Sequence, residues 1–380
     1  MSDTPRPPDH EVRLSVVVMS HPRRLDTARR LAARLGPSTR VVLDPEPLGP
    51  PSALRTALLA WRQCPDATTH HAVLQDDVLP VADAPHRMRQ AAAEHPDTVL
   101  TFYANSISWN GAAARAAVLS GHTWLPPVRG EYFPTLAVVM PCALAHAFAD
   151  YAERHEQSDD DEVLAQFLDK TRAPALLRGP SLVEHLDLPS LSGYDDDPIG
   201  HPDQYQSVRR SVCFPQQKSP PLSPAPLREL AAWPHFSQRR ALLRLPSRLG
   251  RDRWQTQTRT AQLRLLGLRP DEHHALAEAA YEELEALPEP GRTARRFLRE
   301  TALASIALGA VASRAAPDSA GPVRNALTDT AVSSLLDAGF GKKADVTRWQ
   351  GSWEVLMDLA WKGIALGRAR GIEAPPRPWT

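Results

Sequence analysis

The chain has 380 residues, which at roughly 150 residues per domain is enough for about two domains with hydrophobic cores. Hydrophobic residues make up 42% and charged residues 23% of the chain, a composition that argues against wholesale disorder and against a membrane protein. The formal net charge of zero hides an asymmetry, because residues 1–214 are net acidic and residues 215–380 are net basic.

No apolar run reaches the roughly 20 residues that a membrane-spanning helix needs, and residues 1–8 lack an apolar signal core. We therefore expect no transmembrane segment and a cytoplasmic location. The three cysteines are odd in number and scattered, at Cys64, Cys142 and Cys213. This spacing argues against a disulfide framework and against a cysteine-based zinc site, so we expect small buried cysteines.

The N-terminal part alternates short β-branched runs with stretches of helical periodicity. The predicted strands are 13–19, 40–43, 70–75, 98–103 and 135–140, and the predicted helices are 25–35, 52–64 and 142–154. Alternation at this length predicts an α/β fold with a mostly parallel sheet flanked by helices, because parallel neighbours need a crossover connection.

Polar residues stand where the first three predicted strands end. Ser20 and His21 follow the first strand, Asp44 follows the second, and Asp76 and Asp77 follow the third. Ligands of such sheets bind beyond the carboxyl ends of the strands, so these side chains mark the expected binding site. No glycine-rich phosphate motif is present, which argues against ordinary kinases and dehydrogenases.

Adjacent carboxylates at a strand end repel each other unless a cation or solvent compensates them, and hard divalent ions prefer oxygen ligands. The segment 71–80, with its acidic pair after an apolar strand, resembles the acidic motif of nucleotide-sugar-dependent glycosyltransferases with the GT-A fold. It is most similar to bacterial transferases of the lipopolysaccharide-biosynthesis type. The resemblance extends over about residues 12–195 and implies transfer of a sugar from a nucleotide donor, with UDP as the expected nucleotide.

The resemblance also implies a metal site for Mn²⁺ or Mg²⁺. Asp77 matches the direct metal ligand, and Asp76 is placed on the ribose or on a metal-bound water. His185, within the segment 179–186, matches the histidine that closes the metal site in many members. The departure from the family pattern is Gln75, because members usually carry an acid at that position.

The nucleotide would be bound by residues at the first two strand ends and in the following helix. The resemblance places this role on Ser20, His21, Arg23, Asp44 and Arg55, together with Asp76. Arg23 and Arg24 could each pair with phosphate through their planar guanidinium groups.

An acceptor hydroxyl must lose a proton during transfer, and a carboxylate can take it as general base in an inverting reaction. The acidic run 159–162 supplies two candidates, Asp160 and Asp161. The alternative is a helix start, because Ser158 and Asp161 have the spacing of a capping box and acids favour the first turn of a helix.

The C-terminal part is predicted to be a separate, α-helical domain. A proline-rich stretch, 215–226, reads as a linker between a GT-A-like domain at 1–214 and an α-helical domain at 227–380 whose role the sequence does not indicate. No nucleic-acid motif is present, and the acceptor, whether glycan, peptide or small molecule, stays open. Two other functions remain: a nucleotidyltransferase or other nucleotide-using enzyme with a similar sheet, and a catalytically silent interaction scaffold.

Overall fold

The computed structural model describes residues 11–155, 159–186, 232–246, 254–284, 288–316 and 323–373, with position 286 and isolated positions between 188 and 230. Ser158, Cys213 and most of the predicted linker 215–226 lie outside the described residues. The chain forms two compact units, the first comprising 1–101 and 132–176 and the second comprising 102–131 and 177–380.

The described elements alternate in the N-terminal part, as predicted, and are mainly helical in the C-terminal part. The strands are β1 (Leu14–Ser20), β2 (Arg40–Leu43), β3 (His70–Gln75), β4 (Val78–Pro80), β5 (Val99–Thr101), β6 (Trp124–Leu125), β7 (Ala137–Pro141), β8 (Ala175–Arg178), β9 (Val183–His185), β10 (Trp233–Ser237), β11 (Arg240–Pro246) and β12 (Trp254–Thr256). The helices are α1 (Leu25–Leu35), α2 (Ala53–Trp61), α3 (Ala84–Glu94), α4 (Trp109–Leu119), α5 (Cys142–Ala152), α6 (Asp160–Thr171), α7 (Arg259–Leu265), α8 (Pro270–Glu282), α9 (Gly291–Ala315), α10 (Ala326–Phe340), α11 (Lys343–Arg348) and α12 (Trp353–Arg370).

The main sheet has seven strands in the order β2-β1-β3-β7-β5-β8-β6. Strands β2, β1 and β3 are mutually parallel, which confirms the α/β prediction for the part that carries the polar strand ends. Strand β7 runs antiparallel to both of its neighbours, β3 and β5, so β5 shares the direction of β1 to β3. Among the five strands β2, β1, β3, β7 and β5, four therefore run in one direction and β7 runs in the other.

The core of the first unit lies between the sheet and its helices. Helix α1 buries Ala28, Leu31, Ala32 and Leu35, the apolar stripe expected from its 3.6-residue period. Helix α2 begins at the cap residue Ser52, whose hydroxyl accepts the Arg55 N–H at 3.2 Å. The cap thus sets where α2 begins, and the apolar stripe is the face that α1 buries.

A disulfide joins Cys64 and Cys142, so the expectation of unpaired cysteines is wrong for these two. Cys64 follows α2, and Cys142 follows β7, whose antiparallel register sets Pro141 opposite His70. The Cα atoms are 5.9 Å apart, within the range a disulfide spans, although the residues are 78 positions apart in the chain. Sequence spacing alone does not reveal a contact of this kind.

The second unit has its own core, built around α9, α10 and α12. Helices α9 and α12 pack closely because glycines face backbone: a Cβ on Gly309 would lie 2.2 Å from the Ile364 carbonyl oxygen. Helix α4 is buried along almost its whole length and packs in this core, which explains why residues 102–131 join the C-terminal part. The unit boundaries therefore differ from the division predicted at 214 and 227.

The C-terminal part is not wholly α-helical, and this corrects the prediction for 227–380. Strands β10, β11 and β12 form an antiparallel sheet. The β10–β11 turn consists of Gln238 and Arg239, both with positive φ (47° and 59°), the conformation that two-residue hairpins need. Neither residue is the Asn or Gly that normally marks such a turn, so the hairpin carries no sequence signal.

The longest described helix, α9, has 25 residues, but its ends carry several arginines. In the part of the chain that the structure describes, no helix combines the length and the apolar character that crossing a bilayer requires.

Candidate functional site

The ends of β1, β2 and β3 form one polar edge in the first unit. In the sheet, Ser20 pairs with Leu43 and Met19 pairs with Gln75. Asp44 and Asp76 are the residues that directly follow these last paired residues of β2 and β3. The Asp44 N–H continues this edge by donating to the Ser20 carbonyl oxygen at 2.9 Å. Ser20, Asp44 and Asp76 therefore lie together at this edge, and a binding site formed by them stays a prediction.

Asp76 is buried at this edge and hydrogen-bonded on both carboxylate oxygens. The Ser20 hydroxyl donates to Oδ2 at 2.5 Å, and the Arg24 Nη1 donates to Oδ1 at 3.2 Å. Burial raises the pKa of Asp76, while the bonds from Ser20 and Arg24 oppose this shift. The site thus keeps a carboxylate in a poorly solvated position next to a cationic side chain.

Asp77 shares that cation. The same Arg24 Nη1 donates to Asp77 Oδ2 at 3.1 Å, so one guanidinium nitrogen lies between two carboxylates. The Arg24 side chain is 14% exposed, and the side chains of Asp76 and Asp77 are 7% and 13% exposed. A partly buried pair of adjacent acids is expensive without a compensating charge, and Arg24 supplies that charge.

Asp44 is held by Arg55 in a two-pronged ion pair. Arg55 Nε and Nη2 donate to Oδ1 and Oδ2, each at 2.8 Å, and the Glu46 N–H donates to Oδ1 at 3.0 Å. The Arg55 hydrogen bonds are the main reason that the pKa of Asp44 is lowered, and the same pair raises the pKa of Arg55. Both carboxylate oxygens are engaged, so the pair fixes the loop after β2, and its contact with a nucleotide stays a prediction.

His21 and Arg23 lie on the 3-10 turn Pro22–Arg24 that follows β1. The His21 Nδ1 accepts the Arg23 N–H at 3.1 Å, and its Nε2 donates to the Pro47 carbonyl oxygen at 3.1 Å. This pair of bonds requires the neutral tautomer with its proton on Nε2. His21 therefore ties the turn to the loop after β2, and the Arg23 side chain is exposed beside it.

Asp160 begins α6 and is buried, with 6% of its surface exposed. The Thr135 hydroxyl donates to its carboxylate, and the Gln75 Nε2 donates to Thr135 Oγ1 at 3.2 Å. Gln75 thus connects the acidic strand end to Asp160 through the Thr135 hydroxyl.

Burial raises the pKa of Asp160 to about 7, and the nearby charge of Asp161 adds to the shift. Burial also raises the pKa of Asp161 to about 6. The Asp161 Oδ1 accepts the Glu162 N–H at 2.7 Å, and the Asp161 carbonyl oxygen accepts the Phe133 N–H at 3.3 Å. A carboxyl group with a pKa near 7 can exchange protons at neutral pH, which favours Asp160 over Asp161 as a general base.

His185 ends β9 in the second unit. The Oε1 of Glu184 accepts the His185 N–H at 3.0 Å and the Ser211 N–H at 2.6 Å, so this carboxylate fixes the local backbone. Burial raises the pKa of Glu184. The assignment of His185 to the same metal as Asp77 stays a prediction.

Arg24 is the site residue that sequence reasoning assigned least well. In the sequence Arg23 and Arg24 are equivalent phosphate-binding candidates, and only the turn geometry decides that Arg24 reaches the acids. Thr135 was also missed, because nothing in its sequence setting before β7 marks a hydroxyl that bridges Gln75 and Asp160.

A divalent cation at Asp76 and Asp77 stays a prediction. Within the described residues, no group of three or more His, Cys, Asp or Glu side chains is arranged to hold a metal. Mg²⁺, however, is usually bound by only one or two carboxylates together with phosphate oxygens of the substrate. The convergence of Asp76 Oδ1 and Asp77 Oδ2 on one cationic nitrogen marks a point where two carboxylates hold a positive charge.

Scanned against models of known protein families, the chain matches none, and a search of the curated proteins likewise returns no match. The residues of the site therefore carry the functional proposal alone.

Proposed function

We propose that the chain is a metal-dependent glycosyltransferase with a GT-A-like domain, which moves a sugar from a nucleotide-sugar donor, with UDP as the expected nucleotide, to an acceptor hydroxyl. The observation that supports this most directly is the convergence of Asp76 and Asp77 on one cation at the end of β3. Its setting at the end of parallel strands is where α/β proteins bind nucleotides.

The proposal assigns metal binding to the acids at the end of β3 and nucleotide binding to the residues of the neighbouring loops. Asp77, with Asp76 beside it, would hold Mn²⁺ or Mg²⁺, and the ion supplies charge stabilisation for the departing diphosphate. Ser20 keeps the Asp76 carboxylate oriented through its 2.5 Å hydrogen bond. His21, Arg23, Asp44 and Arg55 belong to the two loops beside the edge and would contact the nucleotide.

Asp160 is proposed as the general base. The acceptor oxygen attacks the anomeric carbon, the bond from that carbon to the diphosphate oxygen breaks, and the hydroxyl proton passes to an Asp160 carboxylate oxygen. A separate enzyme base implies inversion at the anomeric carbon. The Thr135 hydroxyl, held in turn by Gln75, orients the carboxylate that receives this proton.

The test is calorimetric titration with UDP, in the presence of Mn²⁺ and in the presence of chelator. We expect wild-type protein to bind UDP roughly tenfold or more tightly with Mn²⁺, and Asp77→Asn to lose most of that gain, since a direct ligand is removed. Asp66→Asn is the matched control, because Asp66 is an exposed carboxylate in the loop before β3.

Equal affinity with metal and with chelator in wild-type protein contradicts metal-dependent donor binding. The products separate the other functions: a glycosyltransferase releases UDP from a UDP-sugar, a nucleotidyltransferase releases pyrophosphate from a nucleoside triphosphate, and a silent scaffold does neither.

A further inference from the structure

The Cys64–Cys142 disulfide lies at the amino end of β3, whereas the acids of the candidate site follow the carboxyl end of that strand. The Cys142 N–H donates to the carbonyl oxygen of Thr69, the residue before β3, at 3.0 Å. The six residues of β3 span roughly 20 Å. The disulfide is therefore a feature of the first unit that the proposed function does not use.

Contacts other than the disulfide already hold the two cysteines near each other. Trp61 of α2 and Phe148 of α5 meet edge to face, with ring centroids 6.2 Å apart, inside one buried apolar cluster. The first residue of β3, His70, is paired with both neighbouring strands. Opening the sulfur–sulfur bond removes none of these contacts, so the two thiols would stay within reach and the bond could close again.

The two cysteines have unequal surroundings. Cys64 is 6% exposed and lies beyond the carboxyl end of α2, whereas Cys142 is partly exposed and is the first residue of the 11-residue helix α5. In the first turn of α5, residues 142–145, no side chain is acidic. The dipole of α5 therefore favours a thiolate at Cys142, while the dipole of α2 has the opposite sign near Cys64.

One hydroxyl oxygen lies against both sulfurs. Thr68 Oγ1 is 3.4 Å from Cys64 Sγ and 3.3 Å from Cys142 Sγ, and its own proton is donated to the Pro65 carbonyl oxygen at 2.6 Å. Towards the sulfurs this oxygen therefore acts as an acceptor. In the reduced pair it can take the S–H of the buried cysteine, which leaves Cys142 as the member that ionises and reacts.

We propose that Cys64 and Cys142 form a reversible thiol–disulfide pair, in which Cys142 reacts with the disulfide of a low-molecular-weight thiol and Cys64 closes the bond. The Cys142 thiolate attacks one sulfur of the reagent, whose S–S bond breaks and releases one thiolate. Cys64 then loses its proton to solvent and attacks Cys142 Sγ, which expels the second thiolate. The protein pair loses two electrons, the reagent gains them as two thiols, and a dithiol reverses the reaction.

The first measurement uses the reduced, full-length wild-type chain, so no substitution can disturb the fold. It follows alkylation by iodoacetamide at pH 7, with peptide mapping by mass spectrometry. Cys142 should be labelled at least about tenfold faster than Cys64, because the thiolate is the nucleophile and Cys64 is buried. Equal rates, or faster labelling of Cys64, overturn the assignment of Cys142 as the reactive member.

A charge change beside Cys142 tests the reason for its reactivity. Ala143 is exposed in the first turn of α5, and Ala143→Asp places a negative charge next to the thiolate while it suits the start of a helix. Labelling of Cys142 should slow by roughly threefold, whereas the neutral matched control Ala143→Asn should react as wild type does. Equal rates in the two variants overturn the role of the helix terminus.

Oxidised glutathione tests the order of the two steps. Cys64→Ser should accumulate a mixed disulfide on Cys142, because no second thiol resolves it, whereas Cys142→Ser should form an adduct on Cys64 at least about tenfold more slowly. Reduced wild type should end with the Cys64–Cys142 bond and no lasting adduct on either residue. A persistent adduct on wild-type Cys142 overturns the resolving role of Cys64, and a folded Cys64→Ser without an adduct overturns the reactivity of Cys142.

Reversibility is measured by circular dichroism melting of the full chain. Dithiothreitol should lower the melting temperature of wild type by roughly 5 to 15 °C, since the bond closes a loop between residues 78 positions apart, and oxidised glutathione should restore it after the reductant is removed. Cys64→Ser is the matched control and should melt at the same temperature with and without dithiothreitol. An unchanged wild-type melting temperature overturns the pair itself, and unfolding at 25 °C or failure to recover overturns its reversibility.

Discussion

Replacing Asp160 by asparagine should raise the free energy of unfolding at neutral pH. The same substitution should abolish most of the turnover. Asparagine keeps the size of the side chain and can still accept the Thr135 hydroxyl, but it cannot ionise. Asp160 does not provide the α6 cap, since the cap residue is Asp159. The substitution therefore removes a buried titratable group and little else.

The magnitude follows from the shift in pKa. The carboxyl group has an ordinary pKa of 3.8 and a folded-state pKa raised to about 7, chiefly by burial. Between these values the folded state keeps the proton and the unfolded state has lost it, so the free energy of unfolding falls as pH rises through this window. A difference of about three pKa units corresponds to at most about 4 kcal/mol above pH 7. Below pH 4 this contribution disappears.

We therefore expect the melting temperature of Asp160→Asn, relative to wild type, to increase from pH 4 to pH 7 and then to level off. Because the chain has two compact units, the comparison follows one and the same transition at every pH. Asp161→Asn is the matched control: its pKa of about 6 predicts a smaller gain that levels off about one pH unit lower.

Turnover completes the test. Donor consumption by Asp160→Asn should fall by roughly 10² to 10⁴-fold, the range attributed to general base catalysis, while UDP affinity stays near wild type. A melting difference that is independent of pH would refute the reasoning about Asp160 burial, and unchanged turnover would move the base elsewhere.

The other predictions concern neighbouring contacts of the site and the core. Arg55→Gln should lower the free energy of unfolding by about 2 kcal/mol at pH 7, and chemical denaturation should show this loss shrink as pH falls through the lowered pKa of Asp44, because a protonated carboxyl no longer needs its partner. Thr135→Val removes the hydroxyl donor to the candidate base, so the acidic limb of the pH–rate profile should move to higher pH by about one unit, and Thr135→Ser should restore it. Gly111→Ala should destabilise the protein by about 3 kcal/mol or more in melting experiments, because its Cβ would lie 2.0 Å from a backbone carbonyl oxygen, whereas Gly351→Ala, which meets nothing within 4 Å, should be near neutral.

The polar edge of the sheet could be predicted because it depends on local pattern. Each β-branched run stops at a polar residue, and parallel pairing brings successive stops to one edge. Ser20, Asp44 and Asp76 follow directly from that rule. The acidic character of the run that begins α6 was equally visible in the sequence, and burial then decided that Asp160 rather than Asp161 has the pKa closest to neutrality.

The parts that could not be predicted depend on contacts between distant residues. The Cys64–Cys142 disulfide joins residues 78 positions apart. The β10–β11 hairpin uses a Gln238–Arg239 turn whose residue types seldom adopt positive φ, so no composition rule finds it. The unit boundaries could not be read from the proline-rich stretch, because they depend on α4 packing against C-terminal helices.

The acids at this edge differ in hydrogen-bond partners and in pKa, and these differences bear on the proposed choice of Asp160 as base. Asp44 has both oxygens bound by Arg55 and a lowered pKa, which makes it a weak proton acceptor. Asp76 accepts hydrogen bonds on both carboxylate oxygens, from Ser20 and from Arg24. Protonation of Asp76 would therefore weaken its ion pair with Arg24. Asp160 is held by a neutral hydroxyl, and burial alone accounts for most of its raised pKa. Among these three acids, Asp160 has a folded-state pKa of about 7, and its protonation breaks no ion pair with a guanidinium. If turnover depends on the ionisation of one group near pH 7, we therefore expect that group to be Asp160.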